Sequence, residues 1–345
     1  MAEVVNGAGI WEIPPDEVLD HAQIDRLVEH TANTWQTGRK REETLRDTVQ
    51  GKKAEYAFAC FLKARTRVRY LSYDDFRRDA FLSHAPFDGL LYRQEIAQAV
   101  LDSCIEQICA EIAAGNGTGV ISPRLRQDME KQGIFTMEVK SSVLKDRLGD
   151  FRGVSGSLPR SRDDCAQIVR NIERWDFFVY PHFTRTDEKI QNFYDYTEYV
   201  KCQYPDEFSA LTNEKFLQKL MRMEFDHASD VYTRLYFDYE AGMIYIPGYI
   251  LKEDFFTRPQ LAKMPGDKSG KALYYMHTIG DRKSFCQMPE DGRIWNFSQE
   301  ESYKRLLAGV RQRCICGGII RYCNSKKNRT YFCKCFDCKR EYPFL

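Results

Sequence analysis

Residues 135–143 read FTMEVKSSV and place Glu138 and Lys140 two positions apart in a strand-like, apolar run. Side chains at i and i+2 of a strand share a face. Thr136, Glu138, Lys140 and Ser142 are therefore expected on one side, and Phe135, Met137, Val139 and Ser141 on the other. A carboxylate beside an ammonium is common surface decoration and carries no chemistry alone. Two further carboxylates give it company. Asp88 interrupts the apolar run PFDGLLY, where an unpartnered carboxylate is costly. Glu55 lies in GKKAEYAFACFLK and shares a helical face with Phe58, Ala59 and Leu62, a face expected to turn inward. Three carboxylates and a lysine are the ingredients of a metal-and-phosphate site. Hard divalent cations take oxygen ligands and keep several waters. A phosphodiester needs its charge neutralised and a water activated.

A second constellation closes the chain. Six of the twelve cysteines fall in the last 32 residues, CICGGIIRYCNSKKNRTYFCKCFDCKREYPFL. Clustered cysteines in a reducing compartment are metal ligands more often than disulfides. Cys314-Ile-Cys316-Gly-Gly, two strands around a basic turn, and Cys335-Phe-Asp-Cys338 look like a zinc ribbon. Four thiolates at tetrahedral geometry make a closed structural Zn²⁺ site, and so short a segment needs the metal to fold. Cys314, Cys316, Cys335 and Cys338 form two compact pairs and are the favoured ligands, with Cys333 and Cys323 as substitutes. Lys326 and Lys327 in the basic turn, near Tyr331, Phe332 and Phe336, suit nucleic-acid contact. A ribbon that only docks on the core is the rival reading.

The elements that must position these residues alternate. Residues 16–48 and 51–63 read as helices, RTRVRYL and FDGLLYR as strands, 94–114 as a helix, and FTMEVKSSV as a strand. A helix over 163–175, a strand over 176–183 and two strands within 234–250 follow. This order describes an α/β fold, a mixed sheet flanked by helices.

The acidic constellation resembles the PD-(D/E)xK nuclease superfamily, the restriction-endonuclease-like fold. The resemblance rests on Gly51-x3-Glu55, Pro86-Phe87-Asp88 and Glu138-Val139-Lys140, and the Gln167-bearing helix continues the order. It implies that Asp88 and Glu138 ligate Mg²⁺, with Val139 contributing its backbone carbonyl. Lys140 would orient or help deprotonate the attacking water, and Glu55 would complete the site. Gln167, and more loosely Arg170, would touch the nucleic-acid backbone. The fifty residues between Asp88 and Glu138 exceed a tight strand pair, so the 94–114 helix must leave the sheet and return. Asp128 has the more usual spacing but sits in a charged, helical stretch, and is held in reserve.

The implied protein is a Mg²⁺-dependent endodeoxyribonuclease acting on double-stranded DNA, of restriction or phage-defence type. A repair or recombination nuclease, or a non-catalytic nucleic-acid-binding zinc protein, are the alternatives. Many such enzymes cut as homodimers. The loop 145–162 carries Lys145, Arg147, Arg152 and Arg160 beside the site, in position for phosphates. Arg65, Arg67 and Arg69 are expected to pair with Asp74 and Asp75 instead. The net charge of +1 excludes nothing, but its distribution is uneven. Residues 1–50 hold ten Asp/Glu against five Lys/Arg, and residues 311–345 hold nine Lys/Arg against two Asp/Glu. No signal peptide and no apolar run long enough for a membrane span are evident, which points to the cytoplasm. No nucleotide-binding Walker sequence appears. The expected domains are an N-terminal helical segment (1–45), the nuclease core (46–255, with a helical insertion at about 94–133), an irregular connection (256–310) and the zinc ribbon (311–345).

Overall fold

The structure is a computed structural model that describes residues 3–34, 40–79, 81, 85–115, 121–144, 153–183, 190–256, 260–263, 273–308 and 313–343. The chain divides into two compact units, each assembled from separated segments. The first holds Met1–Trp175, Ser229–Ile250 and Ile279–Phe297; the second holds Asp176–Ala228, Leu251–Thr278 and Ser298–Leu345.

The first unit is mixed α/β, a mixed central sheet flanked by helices. Its strands run in the order Glu3–Val5, Ala8–Glu12, Met243–Ile246, Val231–Asp238, Ile134–Val143, Gly89–Arg93 and Val68–Ser72. Neighbours are antiparallel except Ile134–Val143 and Val231–Asp238, which are parallel. The long helix Arg41–Arg65 lies on one face and buries Ala54, Ala57, Phe58, Phe61 and Leu62. Glycine at position 9 admits the ring of Phe61 to the sheet: a Cβ there would lie 2.6 Å from Phe61 Cζ. Ser141, from the face that carries Phe135, Met137 and Val139, accepts a hydrogen bond from Gln50 of this helix at 2.9 Å. The alternation expected for FTMEVKSSV therefore holds.

Helices Gln98–Ala114 and Pro123–Lys131 occupy the long connection between Asp88 and Glu138. Their apolar faces, Leu101, Ile108, Leu125 and Met129, pack in one cluster with Leu90 and Ile134. The excursion thus returns the chain antiparallel to where it left, with Gly89 opposite Met137. The helix Arg162–Ile172 starts at a capping box in which Ser161 accepts from Asp164 N–H and Asp164 accepts from Ser161 N–H. The single helical stretch read over 16–48 resolves into His21–Thr34 and the start of Arg41–Arg65. Within the arginine stripe, Arg67 pairs with Glu95 and Arg69 bonds Gln94 and two backbone carbonyls. The expected pairing with Asp74 is not made, because Asp74 is held by Lys52 and Arg77.

In the second unit, strands Leu261–Lys263, Leu273–Thr278 and Asp176–Val179 form an antiparallel sheet. Proline and glycine over 256–300 hide the first two of these from sequence pattern. A separate antiparallel sheet, Ile320–Ser325, Thr330–Cys335 and Glu341–Pro343, carries the cysteines. Helices Phe193–Gln203 and Asn213–His227 touch it. No helix among the described residues is long and apolar enough to cross a membrane.

Candidate active site and candidate metal centre

Asp88 sits one residue before the strand Gly89–Arg93, and the register that pairs Gly89 with Met137 sets it against Glu138. Its N–H donates to Met137 O at 3.0 Å, and its Oδ2 accepts the N–H of Val139 at 2.7 Å. Lys140 Nζ bonds Glu138 Oε1 and lies 3.9 Å from Asp88 Oδ2. The ammonium thus bridges the two carboxylates. All three side chains stay partly open to water, with exposures of 27% for Asp88, 23% for Glu138 and 40% for Lys140. Burial, then the neighbouring Glu138 carboxylate, pushes the Asp88 carboxyl up to about 7, against the pull of Lys140. Burial opposes the charge on Lys140, but Asp88 and Glu138 outweigh it and hold the ammonium above the ordinary lysine range.

Glu55 reaches the same place from the helix Arg41–Arg65. Its Oε2 accepts from Ser72 Oγ at 2.5 Å and lies 3.3 Å from the Tyr70 hydroxyl; its Oε1 accepts from Lys52 Nζ at 2.9 Å. Tyr70 also donates to the backbone carbonyl of Asp88 at 2.9 Å, so one hydroxyl links the two acidic positions. Glycine at position 89 makes this possible: a Cβ there would lie 2.5 Å from both Leu71 O and Tyr70 Cζ. Lys52 is held above the ordinary lysine range by Glu55 and Asp74, which outweigh its burial. It starts an ionic chain that runs to Asp74 (2.5 Å), on to Arg77 (2.9 Å) and then to Asp79 (2.7 Å). A cavity of about 210 Å³, lined in part by Lys52, Glu55, Tyr70, Ser72 and Asp75, opens beside Glu55. The oxygens of Glu55, Asp88 and Glu138 are not all within 4.8 Å of one another; among the described residues only the cysteines form such a group.

Sequence reasoning missed Tyr70, Ser72, Lys52 and Arg234. Arg234 is the register partner of Lys140 on the parallel strand and donates to Ser142 Oγ at 3.0 Å. Burial pulls its guanidinium below the ordinary arginine range. A strand pairing across more than ninety residues leaves no local signal for it. Asp128, held in reserve, lies on the helix Pro123–Lys131, exposed and paired with Lys131 at 2.7 Å, so it does not join Glu138.

The expected nucleic-acid contacts are distributed differently. Lys145, Arg147 and Arg152 lie outside the described residues. Arg160 is buried, bonded to Asp238 at 3.0 Å, Glu240 at 3.1 Å and Ser157 O at 3.1 Å. Its guanidinium is spent inside the fold, and the expectation that it meets phosphate is corrected. Gln167 accepts from Arg170 at 2.9 Å and contacts Asn171 at 3.4 Å. Lys326 and Lys327 are exposed in the turn between two strands of the cysteine-bearing sheet.

The sulfurs of Cys314, Cys316, Cys335 and Cys338 all lie within 4.8 Å of one another and could hold a metal ion. Cys314 is 3.4 Å from Cys338, and Cys316 is 3.6 Å from Cys335. The N–H of Cys316, then the Tyr342 hydroxyl at 2.9 Å, draws the Cys314 thiol down to about 6. Glycine at 318 closes the turn, since a Cβ there would lie 2.8 Å from Cys335 Sγ. Cys333 is fully buried beside Ile320, and burial pushes its thiol up to about 12. Cys323 donates instead to Arg321 O at 3.7 Å. The two substitutes are thus outside the cluster. No known protein family, curated protein or solved structure matches the chain.

Proposed function

We propose that the first unit is a Mg²⁺-dependent deoxyribonuclease with a restriction-endonuclease-like core, and that the cysteine-bearing sheet is a structural zinc ribbon. The observation that carries the enzyme reading is the register that faces Asp88 with Glu138 and leaves Lys140 between them. Two crowded carboxylates counterbalanced by a single ammonium favour a divalent cation in its place. Asp88 and Glu138 would hold it, with the Val139 carbonyl as a further oxygen, while Glu55, held by Lys52, Ser72 and Tyr70, stands beside the site outside the ligand set. Bound there, a hard cation supplies Lewis-acid stabilisation of the phosphoryl oxygens and acidifies a water.

The chain's own groups do the rest. Lys140 orients the water and neutralises charge on the scissile phosphate; an ammonium held above the ordinary range is poorly set to take a proton. Arg234, beside it on the next strand, offers a second cation to the phosphate backbone. Tyr70 and Ser72 hold Glu55 against the Asp88 backbone. The products carry a 5′-phosphate, by the resemblance to PD-(D/E)xK nucleases. Double-stranded DNA is the substrate, and restriction or phage defence is the role the same resemblance favours.

Zn²⁺ fits the cysteine quartet. Tetrahedral Zn–S bonds of about 2.3 Å place sulfurs about 3.8 Å apart, close to the separations of 3.4 and 3.6 Å.

Incubation of the purified chain with plasmid in Mg²⁺ or in EDTA tests the enzyme. Linear or nicked products are expected with Mg²⁺ and disappear with chelator and in Lys140→Ala. Binding to plasmid with no cutting in any divalent cation would leave a nucleic-acid-binding protein and overturn the nuclease.

A further inference from the structure

We propose that the knuckle tip of the cysteine-bearing sheet, not its hairpin turn, is a surface for single-stranded nucleic acid, with Phe336 as the stacking ring and Arg321 and Lys339 as phosphate contacts. The proposal takes nucleic acid as partner from the reading above but needs no hydrolysis.

The sheet has two ends. From Ile320↔Cys335 to Ser325↔Thr330 the hairpin spans about 17 Å. Its turn end is docked on the helix Phe193–Gln203. Arg329 pairs with Asp195 at 2.7 Å. Tyr331 is buried, accepts from Thr197 at 3.1 Å and Lys201 at 3.2 Å, and packs its ring 5.3 Å from that of Tyr194. That end has spent its aromatic ring and one of its cations on the protein itself.

The knuckle end faces outward. Ile315 is 65% exposed, Ile319 56% and Phe336 49%, the exposed large apolar side chains among the described residues of this sheet. Ile315 lies between Cys314 and Cys316, and Phe336 follows Cys335, so they surround the sulfur cluster. Exposed apolar groups gathered at one end mark an interaction site rather than a core. The backbone beneath them is fixed: Cys314 N–H donates to Gly318 O and Gly317 N–H to Cys314 O, both at 2.8 Å. The guanidinium of Arg321 lies 5.3 Å, and the ammonium of Lys339 5.6 Å, from the centre of the Phe336 ring.

Charge selects the occupant. Lys334 is paired with Glu341 at 2.9 Å. Among the described residues at this end, Arg313, Arg321, Lys339 and Arg340 then stand against Asp337 alone. This surplus of three positive charges exceeds the two negative charges that a tetrathiolate centre carries with a divalent ion. A half-exposed aromatic ring with two cations near it suits a base with its flanking phosphates. Duplex bases already stack on one another, so a protruding ring favours a single strand.

The test uses the full chain without divalent cation in the buffer, so that nothing is cut, and a fluorescein-labelled oligothymidylate read by anisotropy across a KCl series. Phe336→Ala is expected to weaken binding about tenfold, in keeping with about 1–3 kcal/mol per stacked base, with zinc content unchanged. Phe336→Trp restores it. The double variant Arg321→Ala/Lys339→Ala lowers the magnitude of the log–log salt slope by about 1.4, two contacts at about 0.7 each. Lys326→Ala/Lys327→Ala lowers the salt slope less than the tip variant does and leaves the contribution of Phe336 intact. The proposal fails if Phe336→Ala binds like wild type, if the turn variant weakens binding more than the tip variants do, or if wild type does not bind the oligonucleotide. It also fails if the tip variants alter only association with protein. Tip-dependent binding in a chain that never cuts plasmid would remove the nuclease and keep this surface.

Discussion

The backbone N–H of Val139 donates to Oδ2 of Asp88 at 2.7 Å, so the strand that carries Glu138 and Lys140 also aims the carboxylate facing them. The orientation of Asp88 is set by main chain. Asp88→Asn can keep that bond through its amide oxygen while losing the charge a cation needs. The variant is expected to fold and to lose Mg²⁺-dependent cutting by about a thousandfold, with Lys140→Ala losing about a hundredfold or more. Initial rates of plasmid cleavage check both, and wild-type rates in Asp88→Asn would remove Asp88 from the site.

The same crowding makes cation binding depend on pH. With the cation absent, Asp88 holds its proton up to about 7, chiefly because the surrounding protein removes part of its hydration, then because Glu138 is beside it. A cation must displace that proton. Below about pH 7 the Mg²⁺ concentration for half-maximal cutting should rise as the pH falls, by up to about tenfold per unit. Above it the requirement should level off. Titrations of Mg²⁺ at several pH values read this directly, and a requirement that is flat between pH 5.5 and 8 would contradict it.

The acidic positions were legible because each broke a local rule. A carboxylate in an apolar run and another on an inward helical face are expensive, which singles them out as candidates for a functional role. Alternation in FTMEVKSSV fixed which residues share a face, and the strand Ile134–Val143 bears this out. What lay beyond reach was long-range. Arg234 meets Lys140 only through a parallel pairing that sequence does not encode locally. Arg160 looked like a free loop cation because nothing near it in sequence announces Asp238 and Glu240. The compact spacing of Cys314, Cys316, Cys335 and Cys338 was readable. That Cys333 turns into the apolar interior while Cys335 joins the cluster was not, since both lie on the same buried side of one strand.

That difference between two neighbouring cysteines is testable. Cys335→Ser removes a member of the quartet; with zinc in the proposed site, the variant should lose the ion and unfold the sheet, because a metal there would supply most of so small a segment's stability. Cys333→Ser places a hydroxyl in an apolar, fully buried position and should cost about 1–3 kcal/mol while leaving one zinc per chain. Native mass measurement and a colorimetric zinc assay distinguish them. Equal zinc loss in both would mean that the ligand set is wrong.

Glu224 offers a pH test in the second unit. It lies on the helix Asn213–His227, 1% exposed, and accepts from the Tyr196 hydroxyl at 2.6 Å and the His182 N–H at 2.7 Å. Burial pushes its carboxyl up to about 7, although hydrogen bonds from Tyr196, the His182 backbone N–H and Tyr275 favour the anion. An unfolded glutamate titrates at about 4.3. Between those values the native state keeps a proton that the unfolded state has lost, so stability falls as pH rises through the window and levels off above about 7. Glu224→Gln has no charge to bury and retains an acceptor for the His182 N–H. It should flatten this slope and gain about 1–3 kcal/mol at pH 8 relative to wild type. Glu224→Leu leaves the N–H and hydroxyl without their acceptor and should lose about 1–3 kcal/mol at pH 5. Urea unfolding at pH 5 and pH 8, followed by zinc release from the cysteine-bearing sheet of the same unit, gives both numbers. A Glu224→Gln protein whose pH dependence matches wild type would show that this carboxyl is ionised throughout.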